Sequence, residues 1–420
     1  MLIRRLLQVM SLIGWLLLSG AFVCQAHESK PPAKIPETIR IGLFTLFQPR
    51  TLSIKPILSP AEIFAGQVRR QLQPAKTYRI RLGNGQLALF EGQIKILEGT
   101  SLELATTGSV PAAQSPAELE LIAQSSTRRV AGKILIQVRE NALQVILTQS
   151  LEDAVAVVTA SEMKGVGLSE ALKCQAIVVR SFFMTHLGRH QRLGYDVCDS
   201  THCQLYFGTL FDQSYPPRLI QSARQATHAT RATVLWEAEH PVEAYYTACC
   251  GGHTTVSSVV WPLNDEIEPK QDVPTVICNW CRGANFYRWQ RRIGVHRLLS
   301  TMTSIWGAKP LDKVDLQISK RTPDGIVTHL ALSDGQRTIE VANGEFRSVI
   351  GHTLGWNLVL SNVYQITRRG DFYEFTGHGF GHQVGLCVEG TVAQAKAGRS
   401  YQEILRFYFP DATLNDRVTK

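Results

Sequence analysis

The stretch SEALKCQAIVVRSFFMTH, residues 169–186, decides how this chain is read. Its spacing predicts a helix that is apolar on most sides. Leu172, Ala176, Val179 and Phe183 share one face at helical spacing, and Ala171, Cys174, Val178 and Phe182 share another. A helix with two apolar faces is buried on both. Ser169 suits the N-cap, and Glu170 is favourable in the first turn. A third face, Lys173, Ile177, Arg180 and Met184, places two cations seven residues apart. On a solvated helix such a stripe has no special role. On a buried helix beside a site it holds an anionic or hydroxyl-rich ligand. One carboxylate, Glu162, stands just before the helix.

Before this helix the text is β-rich. TIRIGLF, TYRIRLG, KILIQVR and LQVILTQ alternate or run short and β-branched, and strands are expected from Thr38 to about Val158. TGSVPAAQSPAE between them reads as a loop. After it come a small helix, VHRLLSTMTSIW, and the strands VDLQIS and VTHLALS. A glycine-rich loop, TGHGFGHQVG, follows, then a helix near Thr391 to Ala397 and a last helix in SYQEILRFYF. The fold class is α+β. The expected organisation is a signal peptide (1–26), a linker (27–37), a β-rich N-terminal part (38–150), a catalytic core (151–294), a small inserted α/β subdomain (295–345) and a C-terminal part that closes the core (346–420).

The 420 residues suffice for two or three domains with proper cores. The first 26, with Arg4 and Arg5 before an apolar run and small residues up to Ala26, read as a secretory signal peptide, with a retained anchor as the alternative. No later stretch has the roughly 20 apolar residues of a membrane span. The chain is therefore expected to be exported, to the periplasm, cell wall or extracellular space. Without the leader the formal charge falls from +9 to +7. That balance draws the chain to polyanions such as the cell wall. No basic run stands out, which argues against nucleic acid as a partner.

Eight of the nine cysteines follow Ala26. Their even number permits disulfides in an oxidising compartment. Cys198, His202 and Cys203, in CDSTHC, have the ligand types and close spacing of a zinc site. A structural site needs a fourth ligand. A Cys198–Cys203 disulfide is the alternative. Cys249, Cys250, Cys278 and Cys281 form a second group, open between zinc and a disulfide such as Cys250 to Cys278. Cys174 reads as a small core residue. His378 and His382 stand four apart in GHGFGH, but three glycines argue against a metal-binding helix there.

Four ordered stretches resemble the SpoIID/LytB family, the stage II sporulation protein D and amidase-enhancer proteins of the cell wall. They are SEMKGVGLSEALKCQAIVVRSF, YDVCDSTHCQLYFG, AYYTACCGGHT with Trp261 after it, and GHGFGHQVGLCVEG running into GRSYQEILRFYFPDA. Lesser matches are RVAGKILI and GEFRSVIG. The resemblance implies a lytic transglycosylase that cuts peptidoglycan glycan strands, typically peptide-free, to 1,6-anhydro ends, with Glu162 as its one catalytic residue. Such an enzyme needs no second carboxylate, because the sugar's own 6-hydroxyl attacks, whereas ordinary glycosidases use two. Burial beside Met163 and Val166 would favour the acid form. Lys164 stands where the family usually has proline, and the family's tryptophan between the glutamate and the helix is absent. The resemblance further implies that Gln175, Arg180 and Ser181 frame the cleft or fix the loop carrying Glu162, with satisfying buried backbone groups as the alternative. It implies that His378 and Gln383 bind sugar hydroxyls, with a tight structural turn as the alternative, and that a structural zinc is bound at the CDSTHC motif. As that zinc's fourth ligand the resemblance implies a histidine about six residues upstream, where this chain has Arg192, with His190 the nearest substitute and His186 another. Cys387 stands where the family commonly has serine. The alternative function is a non-catalytic glycan-binding protein that recruits or stimulates a cell-wall amidase.

Overall fold

The β-branched text of residues 38–150 folds into two antiparallel-paired sheets whose inner faces share one core. The computed structural model describes residues 34–106, 119–163, 166–208, 217–261, 272–302, 305 and 314–415. The leader 1–26, most of the linker, the expected loop at 107–118 and Lys164 lie outside the described residues. The first sheet runs, in spatial order, Val197–Cys198, Thr38–Leu43, Ala142–Ser150, Lys133–Arg139, Ser101–Thr106, Ala61–Ala65, Val68–Leu72. The second runs Ser126–Val130, Leu119–Ala123, Thr51–Pro56, Tyr78–Gly83, Gln86–Glu91, Ile94–Gly99. Ile39, Ile41, Ile134 and Ile136 of the first meet Leu52, Ile54, Ile80, Leu89 and Leu121 of the second in a single cluster. This is the period-2 alternation expected of a half-buried strand, realised as a sandwich.

The strands stop earlier than the sequence suggests. Ala142–Ser150 ends at Ser150, and α1 spans Leu151–Glu162. The valines of AVAVVTA favour a strand by propensity, but Ser150 caps the helix by accepting the Asp153 amide, and Glu152 and Asp153 sit at its positive end. The buried helix follows as α2, Ser169–His186, and α3, Pro217–Ala229, packs on both. The N-cap of α2 is Leu168, with no side-chain cap, so Ser169 does not take that role. Glu170 instead accepts the Tyr401 amide at 2.9 Å, fixing the helix start to the C-terminal segment.

A third core stands on residues 288–378. It uses the sheet Arg288–Gly294, Phe372–His378, Val363–Arg369 and the sheet Asp315–Arg321, Val327–Ser333, Thr338–Ala342. Helices α4, Val295–Thr301, and α5, Asn343–Leu354, pack with them around Phe346, Leu330 and Phe375. This body is wider than 295–345, because the hairpin 363–378 supplies part of its core.

The C-terminal segment closes onto the middle of the chain. Leu386–Cys387 pairs in parallel with Tyr246–Thr247, Tyr246 opposite Leu386 and Thr247 opposite Cys387. Helices α6, Val388–Lys396, and α7, Tyr401–Tyr408, pack on α2, and Thr413–Asn415 adds a strand to Val234–Glu237. Among the described residues no helix is long and apolar enough to cross a membrane.

Candidate functional site

Glu162 is the last residue of α1 and is partly buried, while Met163 beside it is fully buried. Its carboxylate lies at the carbonyl end of the helix, where the dipole opposes negative charge. The Tyr246 hydroxyl hydrogen-bonds to it; burial, then the Glu162 charge and this hydrogen bond, push the Tyr246 phenol well above its usual range. The same hydroxyl is 3.4 Å from Gln204 Oε1. One phenolic proton has two acceptors. An ionised carboxylate is the stronger of the two acceptors.

Tyr246 is held from behind by the glycine-rich loop. His382 hydrogen-bonds to the Tyr246 backbone, and its Nδ1 accepts the Val384 amide at 3.1 Å. Burial, with Arg347 adding to it, lowers the His382 pKa to about 4, so the ring is neutral near pH 7. The Trp261 ring lies tilted 5.1 Å from His382 and 4.9 Å from Tyr245, making an aromatic wall beside the loop. Gly381 has φ +113°, and a Cβ there would lie 2.3 Å from Thr247 Oγ1, so the loop needs glycine to lie this close to the strand carrying Tyr246.

Most of the expected substrate-binding residues face inward. Arg180 is 0% exposed and grips Glu152 of α1 through Nε at 2.9 Å and Nη2 at 2.6 Å. Its remaining donors reach the Thr233 and Thr227 carbonyls. The expectation of a ligand-binding arginine gives way to a buried clamp between α1, α2 and the end of α3. Lys173 pairs with Glu170 at 2.6 Å. Ser181 accepts the Leu235 amide at 2.9 Å and donates to the Ile177 carbonyl, so it too is a packing residue. Gln383 is fully buried: its Oε1 accepts the Asn362 amide and its Nε2 donates to the Cys250 carbonyl. Its role is to lock the loop. Gln175 is also fully buried, and among the described residues neither of its amide atoms has a partner. His378 is partly buried beside Tyr287, with burial and then the Arg288 and His253 charges lowering its pKa. The side chains that gather at the carboxylate, Tyr246 and Gln204, were not singled out from sequence; the supporting His382 was noted there only for its spacing from His378. Tyr246 lies in AYYTACCGGHT and Gln204 follows Cys203 directly, so their places in the motifs were the available signal.

The expected metal group comes together as four residues. His190, Cys198, His202 and Cys203 present ligand atoms that all lie within 4.8 Å of one another. His190 Nε2 is 3.3 Å from Cys203 Sγ, and His202 Nδ1 is 3.7 Å from Cys198 Sγ. The Cys203 thiol, hydrogen-bonded to Cys198, holds the Cys198 sulfur far below the ordinary thiol range, while the same contact and burial raise Cys203. All eight described cysteines are free. His186 is not part of this group; it pairs with Glu243 at 3.1 Å. The second thiol group differs from expectation: Cys250, Cys278 and Cys281 are joined by Cys387, not Cys249. Cys174 is fully buried and its pKa is raised by burial, as suits a core thiol.

The comparisons with known proteins follow the same motifs. Residues 139–236 match the SpoIID family model, described as a stage II sporulation protein, and residues 235–385 match a domain of unknown function, DUF8618. The chain is 24% identical over 307 residues to stage II sporulation protein D of Bacillus subtilis, covering 69% of this chain and 83% of that protein. It is 25% identical over 298 residues to the amidase enhancer of the same organism, covering 60% of this chain but only 39% of that protein. An uncharacterized protein of Brachyspira hyodysenteriae is 26% identical over 292 residues, 69% of this chain and 73% of its own length. The family-model match over residues 139–236 and these relatives support the resemblance to the SpoIID/LytB family.

Proposed function

We propose that this cell-wall protein is a peptidoglycan lytic transglycosylase in which Glu162 serves first as acid and then as base. The observation that carries the reading is the Tyr246 hydroxyl on the Glu162 carboxylate, at the carbonyl end of α1. The glycosidic oxygen takes the Glu162 proton as its bond to the sugar breaks. The phenol then donates to the new carboxylate and stabilises it. The 6-hydroxyl of the same sugar attacks the anomeric carbon and gives its proton to Glu162, which closes the anhydro ring and restores the acid. No water enters, so one carboxylate suffices, in contrast to the two of hydrolytic glycosidases. Gln204 is buried, and its Oε1 is the second acceptor that orients the Tyr246 hydroxyl.

His190, Cys198, His202 and Cys203 fit zinc by donor type and by their mutual closeness, and would hold it as a structural ion. Asp199, between these ligands, accepts the Phe44 and Thr45 amides and Arg128, tying the segment to the β-sandwich. The brace would thus fix Gln204 beside Tyr246. Export through the N-terminal leader would bring the protein to its polymer.

Glu162→Gln keeps size but cannot donate a carboxylic proton. On purified peptide-free strands it is expected to lose about 10²–10⁴-fold or more in turnover while still co-sedimenting with the glycan. Unchanged turnover would contradict the assignment. The match to an amidase enhancer favours a second reading, a glycan-binding protein that stimulates a cell-wall amidase. Amidase stimulation that survives Glu162→Gln, with no strand cleavage by the wild type, would establish that reading instead.

A further inference from the structure

Four thiols that the sequence scatters over three segments meet at one point. Cys250 follows the Tyr246–Thr247 strand, Cys278 and Cys281 bracket the start of the turn Asn279–Gly283, and Cys387 is the N-cap of α6. Their Sγ atoms all lie within 4.8 Å of one another, and each residue is at most 1% exposed. Cys250 Sγ and Cys281 Sγ are 3.5 Å apart. A single buried cysteine is a small apolar residue, as Cys174 is here. Four together, each aimed at the others, are a ligand set.

The surroundings are those of thiolates. Cys387 Sγ accepts the backbone amides of Cys250 and Gly390, both at 3.3 Å. It also stands at the positive end of α6, which favours a charged sulfur. The Tyr408 hydroxyl lies 3.2 Å from Cys278 Sγ. Donors aimed at sulfur are the outer-shell bonds that orient metal-bound thiolates. Gly390 leaves the space: a Cβ there would sit 2.1 Å from the Tyr408 hydroxyl oxygen and 2.8 Å from Cys278 Sγ. Several buried thiolates without a cation would repel one another at high cost, and a divalent ion removes that cost. The Cys249 thiol borders the group through Cys281 and Cys387 but is not one of the four whose sulfurs all lie within 4.8 Å of one another.

We propose that Cys250, Cys278, Cys281 and Cys387 bind one structural zinc ion as a closed four-thiolate site. Each thiol gives its proton to solvent as the ion enters. With four protein ligands no position is left for water or substrate, so the ion supplies rigidity and no reaction. It joins the third motif, the CNWC turn and the C-terminal segment where Thr247 pairs with Cys387, one residue from Tyr246. The inference stands independently of whether the chain cuts glycan.

The test is elemental analysis and zinc-edge X-ray absorption on the full chain, purified with reductant and zinc and without chelator. With the His190 group also filled, two zinc ions per chain are expected, with a mean of three sulfur neighbours at about 2.3 Å. With that group empty, one zinc with four sulfurs is expected. Cys278→Ser is expected to remove one equivalent. The wild-type spectrum decides the matter even if that variant fails to fold. No zinc, a single zinc with two sulfurs and two nitrogens, or a disulfide joining any two of the four cysteines on peptide mapping would overturn the proposal.

Discussion

Tyr246 shares one proton between Glu162 and Gln204, and this makes it the residue whose removal is most informative. Tyr246→Phe deletes the donor that favours the ionised carboxylate and leaves the ring in place. Strand-cleavage turnover is expected to fall by about tenfold or more, but less than for Glu162→Gln. A general acid works only while protonated, so activity is lost as pH rises through its titration. Removing a donor to the carboxylate moves that alkaline limb to higher pH. A rate and pH profile identical to wild type would show that the phenol plays no part. Glu162 was legible in the sequence because it directly precedes a recognisable helix. Tyr246 was not, since 84 residues separate the two and only the pairing of Tyr246–Thr247 with Leu386–Cys387 fixes its place.

Helix α2 answers why a core helix carries an arginine. Arg180 crosses to Glu152 in the first turn of α1, the helix that ends at Glu162. Glu152→Ala strands a buried charge and is expected to cost about 3 kcal/mol, read as a lower urea midpoint, with turnover on glycan kept within about twofold in the cold. A large loss of turnover at unchanged stability would return Arg180 to the substrate site. The glycine-rich loop carries a pH dependence of its own. The His382 pKa is about 4 against 6.5 for a free imidazole, so the unfolded chain binds the proton more readily. Its contribution to stability is complete above about pH 6.5 and fades as pH falls toward 4, by up to about 3 kcal/mol. Denaturation curves of wild type and His382→Gln should therefore converge as pH drops from about 7 to about 4.5; parallel curves would contradict this. At this scale the periodicity of α2 was plain in the sequence. The start of α1 was hidden because its valines read as strand, and capping by Ser150 outweighed propensity.

Across the whole molecule, a β-sandwich, a helical core and a C-terminal segment converge on one carboxylate. The α+β class and the His190, Cys198, His202, Cys203 group were readable from local text, because strands alternate locally and three of those ligands lie within six residues. Of the second thiol group, Cys250, Cys278 and Cys281 were readable but Cys387 was not, since it reaches Cys250 only when the last segment folds back onto the third motif. The Arg180 clamp ties α1 to α2, and in the proposed function the two thiol groups brace the fold while Glu162 carries the reaction. The most direct measurement of that claim is mass spectrometry of the fragments that the wild-type protein releases from purified peptide-free glycan strands. The expected products are 1,6-anhydro ends, each one water lighter than a hydrolysed end, and none of them from Glu162→Gln. Reducing ends carrying an added water, or intact strands after prolonged incubation with folded wild-type protein, would contradict it.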